Sequence, residues 1–204
     1  MIRWMRNSLV ALALCLSATA AVYGQSASPS PRESQPMDFA VMFNAEHAQY
    51  SYGSGFWMFG GSAEVAIKLK YNFSLAINST GTASSGVNGG VPFSKVMTTA
   101  GPRYTLPLGH SSAGRSRIFV EGLFGGVHGF NSTFPATAGP LTSANSVAMQ
   151  LGGGYEWSLK RAWAIRVLDV HYVRTDLPNG STNRQNDLLL GAGIVWRPVD
   201  HTAK

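Results

Sequence analysis

Few residues in this sequence have the type and spacing that catalysis or ligand binding requires. His110 and Ser112 lie two residues apart, and with a carboxylate they could form a nucleophile and base. Asp169 and His171 have the same spacing and could act as an acid–base pair, although such pairs are more often interior hydrogen bonds. No cluster of His, Cys and carboxylate residues has the spacing of a metal site. The sequence therefore predicts no catalytic, cofactor-binding or metal-binding residues.

A second set of candidates consists of charged side chains within segments that otherwise alternate between apolar and small residues. Most share a face with Gly, Ser and Ala, which suits the crowded interior of a narrow barrel. Because unpaired charge inside a barrel is costly, we expect a bridged network that closes the interior to ions. The alternative is that several of these groups lie near the rims and are solvated. The members of this predicted interior charge network are Glu64, Lys68, Arg103, Arg117, Glu121 and Glu156.

The elements that would position these charges are β-strands, because apolar residues recur with period two. The clearest example is 146–157, where Val147 and Leu151 lie on one face and Ala148 and Gln150 on the other. No segment has a helical apolar stripe of comparable length. Turn signals divide the chain into eight predicted strands, near 38–47, 56–69, 73–80, 93–105, 116–130, 146–158, 163–175 and 187–197.

The distribution of apolar and charged residues favours a membrane barrel over a soluble one. A soluble barrel encloses its apolar face, whereas a transmembrane barrel turns that face outward. Longer connections (48–55, 81–92, 131–145, 176–186) follow the odd-numbered strands, and shorter ones mostly follow the even-numbered strands. We therefore predict an all-β, eight-stranded, antiparallel up-and-down transmembrane barrel with both termini on the short-turn side. Aromatic residues near strand ends fit interfacial girdles: Phe56, Trp57, Tyr71, Phe73, Tyr104, Tyr155, Trp157, Trp163, Tyr172 and Trp196.

The N-terminal segment predicts export. Residues 1–24 contain two arginines, a short apolar run and a small-residue end, in the order typical of a secretory signal peptide. Residues 25–36 are rich in Pro and Ser and form a flexible lead-in, 37–197 the barrel, and 198–204 a short periplasmic tail. Charged residues make up only 13% of the 204 residues and form no basic block with interleaved aromatics. Nucleic-acid binding is therefore not supported.

The C-terminal part of the chain resembles a known family. The runs at 152–155, 163–166, 169–172 and 185–196 are similar to outer-membrane β-barrel proteins with an OmpA-like transmembrane domain. The resemblance extends over about 116–197. Gly191, Ile194 and Trp196 match the family's C-terminal assembly signal, whereas Pro198 stands where a last aromatic is expected. The resemblance implies location in the cell outer membrane, contact with outer-membrane lipids and lipopolysaccharide, and insertion by the barrel-assembly machinery.

These observations favour a non-enzymatic outer-membrane barrel with a structural role or with surface interactions through its loops. Two alternatives stay open: a barrel enzyme acting on lipid A or phospholipid, and a small channel. His110 and Ser112 have the spacing seen in barrel-type lipid A deacylases, but they fall in the predicted periplasmic turn 106–115. The sequence predicts no cofactor and does not identify a ligand for the loops.

Overall fold

The computed structural model describes residues 37–48, 55–87, 90–108, 116–137, 139–160, 162–179 and 183–198. The predicted signal peptide, the lead-in, His110, Ser112 and most of the predicted tail lie outside these residues. The described residues form eight strands: β1 (Met37–Ala48), β2 (Phe56–Lys68), β3 (Phe73–Val87), β4 (Val91–Leu108), β5 (Ser116–Phe134), β6 (Leu141–Ser158), β7 (Trp163–Thr175) and β8 (Gln185–Trp196).

The strands form one closed sheet. Each pairs antiparallel with the next along the chain, and β8 pairs back onto β1, from Phe39 opposite Trp196 to His47 opposite Leu188. The predicted fold class, an eight-stranded antiparallel barrel, is confirmed. Within the described ranges, no helix is long and apolar enough to span a membrane.

The two faces of the sheet have the predicted polarity. On β6, Leu151 is 62% exposed on the outer surface, whereas Gln150 is 1% exposed in the lumen. On β1, Val41 and Phe43 point outward and Asn44 is buried. Because side chains alternate along a strand, the period-two pattern fixes which face each residue occupies.

Two hairpins are longer than predicted. The sequence predicts loops at 81–92 and 131–145, but β3 continues to Val87, β4 starts at Val91, β5 continues to Phe134 and β6 starts at Leu141. These extensions are rich in Ser, Thr, Asn and Gly, so they lack the apolar alternation that identifies a strand in sequence. The register shifts between Phe130 and Phe134, where Asn131 has a positive φ of 56°.

A β-bulge in β7 brings an additional arginine into the lumen. Arg166 and Asp169 are three residues apart and would face opposite sides of a regular strand. Both are buried, while the intervening Val167 and Leu168 are both about half exposed on the outer surface. The β7–β8 register shifts between Arg166 and Asp169, as a bulge requires. In the sequence, Arg166 has the opposite parity to Asp169, which predicts either a position near the periplasmic rim or a bulge, and the structure shows the bulge.

The lumen holds an apolar cluster at the end remote from the termini. We call this cluster the apolar cap. Phe93 packs edge-on against Phe134 at a ring-centroid distance of 6.1 Å. Phe56, expected in an outer aromatic girdle, instead packs against this cluster from inside the barrel. Leu177, which follows β7, is fully buried in it. The buried members are Ala48, Met58, Phe93, Met97, Val127, Phe134, Ala148, Val173, Leu177 and Leu189.

Candidate functional site

The middle of the lumen contains a continuous set of ion pairs centred on two arginines. Arg103 Nη2 lies 2.6 Å from Glu64 Oε2, and Arg103 Nε donates to Glu121 Oε2 at 2.6 Å. Arg166 Nη2 lies 2.7 Å from Glu64 Oε1 and 2.9 Å from Glu156 Oε1. Glu64 therefore bridges both guanidinium groups, and each arginine links strands that are not neighbours in the sheet.

Close packing supports this centre. The guanidinium carbons of Arg103 and Arg166 lie 4.1 and 4.6 Å from the centroid of the Phe119 ring, within cation–π range. A Cβ atom built on Gly154 would lie 2.8 Å from that ring, and one built on Gly152 would lie 2.2 Å from His171 Cδ2. The glycine run of β6 therefore leaves room for the aromatic and imidazole rings.

The end of the lumen nearest the chain termini has a looser arrangement. Asp38 lies 3.3 Å from Lys68 Nζ and 3.5 Å from both Arg117 Nη1 and Arg197 Nε. The side chains of Lys68 and Arg117 are 28% and 25% exposed, so they lie at the rim. Arg197 is buried and also pairs with Glu156. Of the predicted network residues, Glu64, Arg103, Glu121 and Glu156 thus meet at the centre, and Lys68 and Arg117 occupy the mouth.

A separate buried triad lies next to the apolar cap. Lys95 Nζ contacts Glu46 Oε1 at 2.6 Å and Asp187 Oδ2 at 2.7 Å. Thr82 Oγ1 donates a hydrogen bond to Glu46 Oε2 at 2.7 Å. All these side chains are less than a tenth exposed. Three charged residues from β1, β4 and β8 are therefore joined across the barrel.

Several members of these groups are not among the residues of the predicted interior charge network. Asp38, Glu46, Lys95 and Asp187 each have the parity of an interior residue in their strand, so strict alternation could have identified them. Arg197 follows Val195 with the same parity but lies just beyond β8. The partners could not have been assigned in any case, because contacts across the lumen depend on the barrel's register.

The arrangement is suited to holding strands together. Asp169 and His171 are in contact, at 3.0 Å between Oδ1 and Nε2. Ser62 lines the same small internal space, but the imidazole nitrogens face Asp169, Glu121 and Gln150 instead. No nucleophile–base pair is thus formed there. Among the residues that the structure describes, no group of His, Cys, Asp and Glu side chains is placed to hold a metal ion.

Comparison with known proteins identifies the fold. No family model and no curated protein matches the sequence. The crystal structure of Neisserial surface protein A (NspA) aligns with a TM-score of 0.55 and 12% identity over 80% of this chain and 97% of that chain. Ail, the attachment invasion locus protein of Yersinia pestis, in complex with the heparin analogue sucrose octasulfate, aligns with a TM-score of 0.50 and 16% identity over 78% of this chain and 97% of that chain. The predicted resemblance to eight-stranded outer-membrane barrels is confirmed at the level of the fold.

Proposed function

We propose that this protein is an integral outer-membrane barrel without enzymatic activity. The proposal rests on the polarity of the barrel, which has apolar side chains outside and charged side chains inside, the reverse of a soluble barrel. Val41, Phe43, Phe124 and Leu151 are between 62% and 69% exposed on the outside, while charged residues fill the inside. In water this surface would be unfavourable, but against acyl chains it is the stable arrangement. A closed barrel also satisfies every strand edge, as a hydrocarbon environment requires.

We further propose that its role is structural or depends on the loops, because the lumen is filled. Ion pairs occupy the middle of the barrel and the apolar cap occupies one end. The side chains that the structure describes therefore block the way of a substrate to the buried Asp169 and His171. The loops and hairpin ends are the remaining surface for recognition outside the membrane.

The orientation we propose places both termini in the periplasm. Trp157, Trp163 and Trp196 lie near strand ends on the terminal side, half exposed on the outer surface, where indole rings fit a membrane interface. Lys160, in the adjacent β6–β7 connection, would meet lipid headgroups on the same side. Outer-membrane lipids, lipopolysaccharide and the barrel-assembly machinery are the partners that follow from this placement.

The experiment that tests the proposal is fractionation of cells expressing the full chain with its own N-terminal segment. We expect the protein in the outer-membrane fraction, with faster gel migration in mild detergent before heating than after. A signal-cleaved, soluble periplasmic monomer would contradict the proposal. An epitope inserted at 135–137 should be reachable by antibody on intact cells, whereas an epitope after Lys204 should become reachable only after lysis.

The enzyme alternative depends on His110 and Ser112, which lie outside the described residues. Replacing His110 with Ala and Ser112 with Ala in the same chain tests it directly. We expect no difference between this variant and the wild type in the lipid A and phospholipid profiles of the expressing cells. A wild-type-specific loss of an acyl chain would favour the enzyme.

A further inference from the structure

His171, in the centre of the lumen, has hydrogen-bond acceptors beside both ring nitrogens. Its Nε2 atom lies 3.0 Å from Asp169 Oδ1 and 3.2 Å from Glu121 Oε1. Its Nδ1 atom lies 3.0 Å from Gln150 Oε1, because the Gln150 amide nitrogen donates to Thr99 Oγ1 at 2.9 Å. A neutral imidazole has one donor and one acceptor nitrogen, whereas an imidazolium donates from both. Acceptor oxygens thus lie within 3.2 Å of both nitrogens, which suits an imidazolium, and Nε2 meets the two carboxylates through ion-pair contacts without a formed hydrogen bond.

The charge balance of the buried groups gives independent support. Three of the central groups that are less than a tenth exposed are guanidinium groups, and four are carboxylates. The excess negative charge would be costly in an enclosed lumen. His171 touches two of these carboxylates, so a proton on its ring neutralises the excess where it arises. The groups are Arg103, Arg166 and Arg197, and Glu64, Glu121, Glu156 and Asp169.

The mouth of the lumen does not supply this missing charge. Lys68 and Arg117 outnumber Asp38 there, but their side chains are about a quarter exposed. Solvent therefore screens them, and they lie at the rim instead of beside Asp169. The triad of Lys95 with two carboxylates cannot supply it either, since it already has more negative than positive groups.

We propose that the lumen is a proton-binding site in which His171 is held as an imidazolium between Asp169 and Glu121. The charged groups that face this site are Asp169 and Arg166 from β7, Glu121 from β5, Glu64 from β2 and Arg103 from β4. The other strands present neutral side chains to the space beside the ring, including Asn44 on β1, Asn78 on β3, Gln150 on β6 and Leu189 on β8.

Folding of the barrel would then take up a proton near neutral pH. An unfolded histidine loses its proton around pH 6.5. Above that pH the folded state binds one proton more than the unfolded chain, so stability falls as pH rises. The folding equilibrium constant should decrease by about tenfold per pH unit for one such proton. This stabilisation is complete below about pH 6.5, where both states carry the proton.

The protonation state is measured directly by nitrogen NMR of the folded wild-type protein with ¹⁵N-labelled histidine in lipid nanodiscs. At pH 8 we expect both ring nitrogens of His171 to be protonated, with the signals assigned by their absence in His171→Gln or, if that variant does not fold, by their proximity to Gln150. A single protonated nitrogen at pH 8 would overturn the proposal, because the ring would then be neutral.

The proton uptake is measured by urea unfolding from lipid vesicles between pH 7 and 9. The wild type should show the tenfold decrease per pH unit, and so should the matched control His128→Gln, whose ring lies outside the lumen beside Asn145. His171→Gln should lose the dependence, and His171→Lys, which keeps a positive charge, should also lose it. A wild-type equilibrium constant that does not change over this range would refute the proposal without bearing on membrane location.

Discussion

Arg166 and Glu64 join two strands that are not neighbours in the barrel, with 2.7 Å between Nη2 and Oε1. Arg166 is on β7 and Glu64 is on β2, and β8 and β1 lie between them in the sheet. Strand hydrogen bonds hold only neighbouring strands together. This contact therefore fixes the barrel's cross-section in a way that the backbone ladder does not.

Removing Arg166 should destabilise the barrel strongly. Arg166→Met leaves Glu64, Glu156 and Asp169 without their shared partner in a buried site. Breaking one side of a buried ion pair typically costs about 3–5 kcal/mol. The measurement is urea unfolding from vesicles. Arg174→Met is the control, because Arg174 is on the same strand but partly exposed, 3.7 Å from Asp176, and should cost less than about 1 kcal/mol. Equal costs for the two variants would mean that the lumen network contributes nothing specific.

The lipid-facing parity is tested on β6. Leu151→Arg should destabilise by about 2–4 kcal/mol if the residue lies near the bilayer midplane, because a charge is placed among acyl chains. Ser143→Arg, on the exposed extension of the same strand, should have little effect. Folding yield and unfolding midpoint in vesicles of defined thickness measure both. A similar cost at the two positions would place the membrane elsewhere along the strand.

The glycine run of β6 gives a packing prediction. A Cβ on Gly152 would lie 2.2 Å from both His171 Cδ2 and the Val170 carbonyl oxygen, and the backbone cannot move away without disturbing the ladder. Gly152→Ala should therefore cost at least about 1–3 kcal/mol, as overpacking does. Gly122→Ala is the matched control, since its nearest neighbour, Leu151 Cδ1, lies at 3.8 Å. Thermal unfolding of both variants in detergent distinguishes them, and an unaffected Gly152→Ala would show that both the His171 ring and the Val170 carbonyl group can move aside.

The alternation of apolar and polar residues along the strands determines how much of the barrel and its lumen could be predicted from the sequence. The period-two alternation of apolar residues indicates how many strands there are and which face of the sheet each residue occupies. Eight strands and the inward-facing positions of Glu64 and Glu156 follow from it. The alternation does not encode a bulge. It therefore leaves two possible positions for Arg166, near the periplasmic rim or at a bulge. It also loses its signal where both faces are polar, as in the extensions beyond Thr80 and before Ser146. Pairing across the lumen, such as Lys95 with Asp187, depends on register and closure, which no local pattern specifies.

The last prediction concerns ion conduction, and it rests on the lumen having two barriers in series. Eight strands leave an interior only wide enough for side chains to fill. Here the ion pairs fill the middle and the apolar cap fills one end, where Phe93, Phe134 and Leu177 are buried together. Arg103→Ala removes part of the first barrier and leaves the second. We therefore expect both the wild type and this variant to be silent in planar bilayers.

Opening a path should require changes in both barriers. Phe93→Ala, Phe134→Ala and Leu177→Ala together remove the bulk of the cap, yet the ion pairs of Arg103 and Arg166 still cross the lumen below it. This triple variant should also be silent, whereas its combination with Arg103→Ala should give ion-conducting steps. Each protein is first checked for heat-modifiable gel migration, so that silence is read only from folded barrels. Steps from the folded wild type would refute the sealed lumen and favour the channel alternative, and steps from folded Arg103→Ala alone would show that the cap does not act as a barrier.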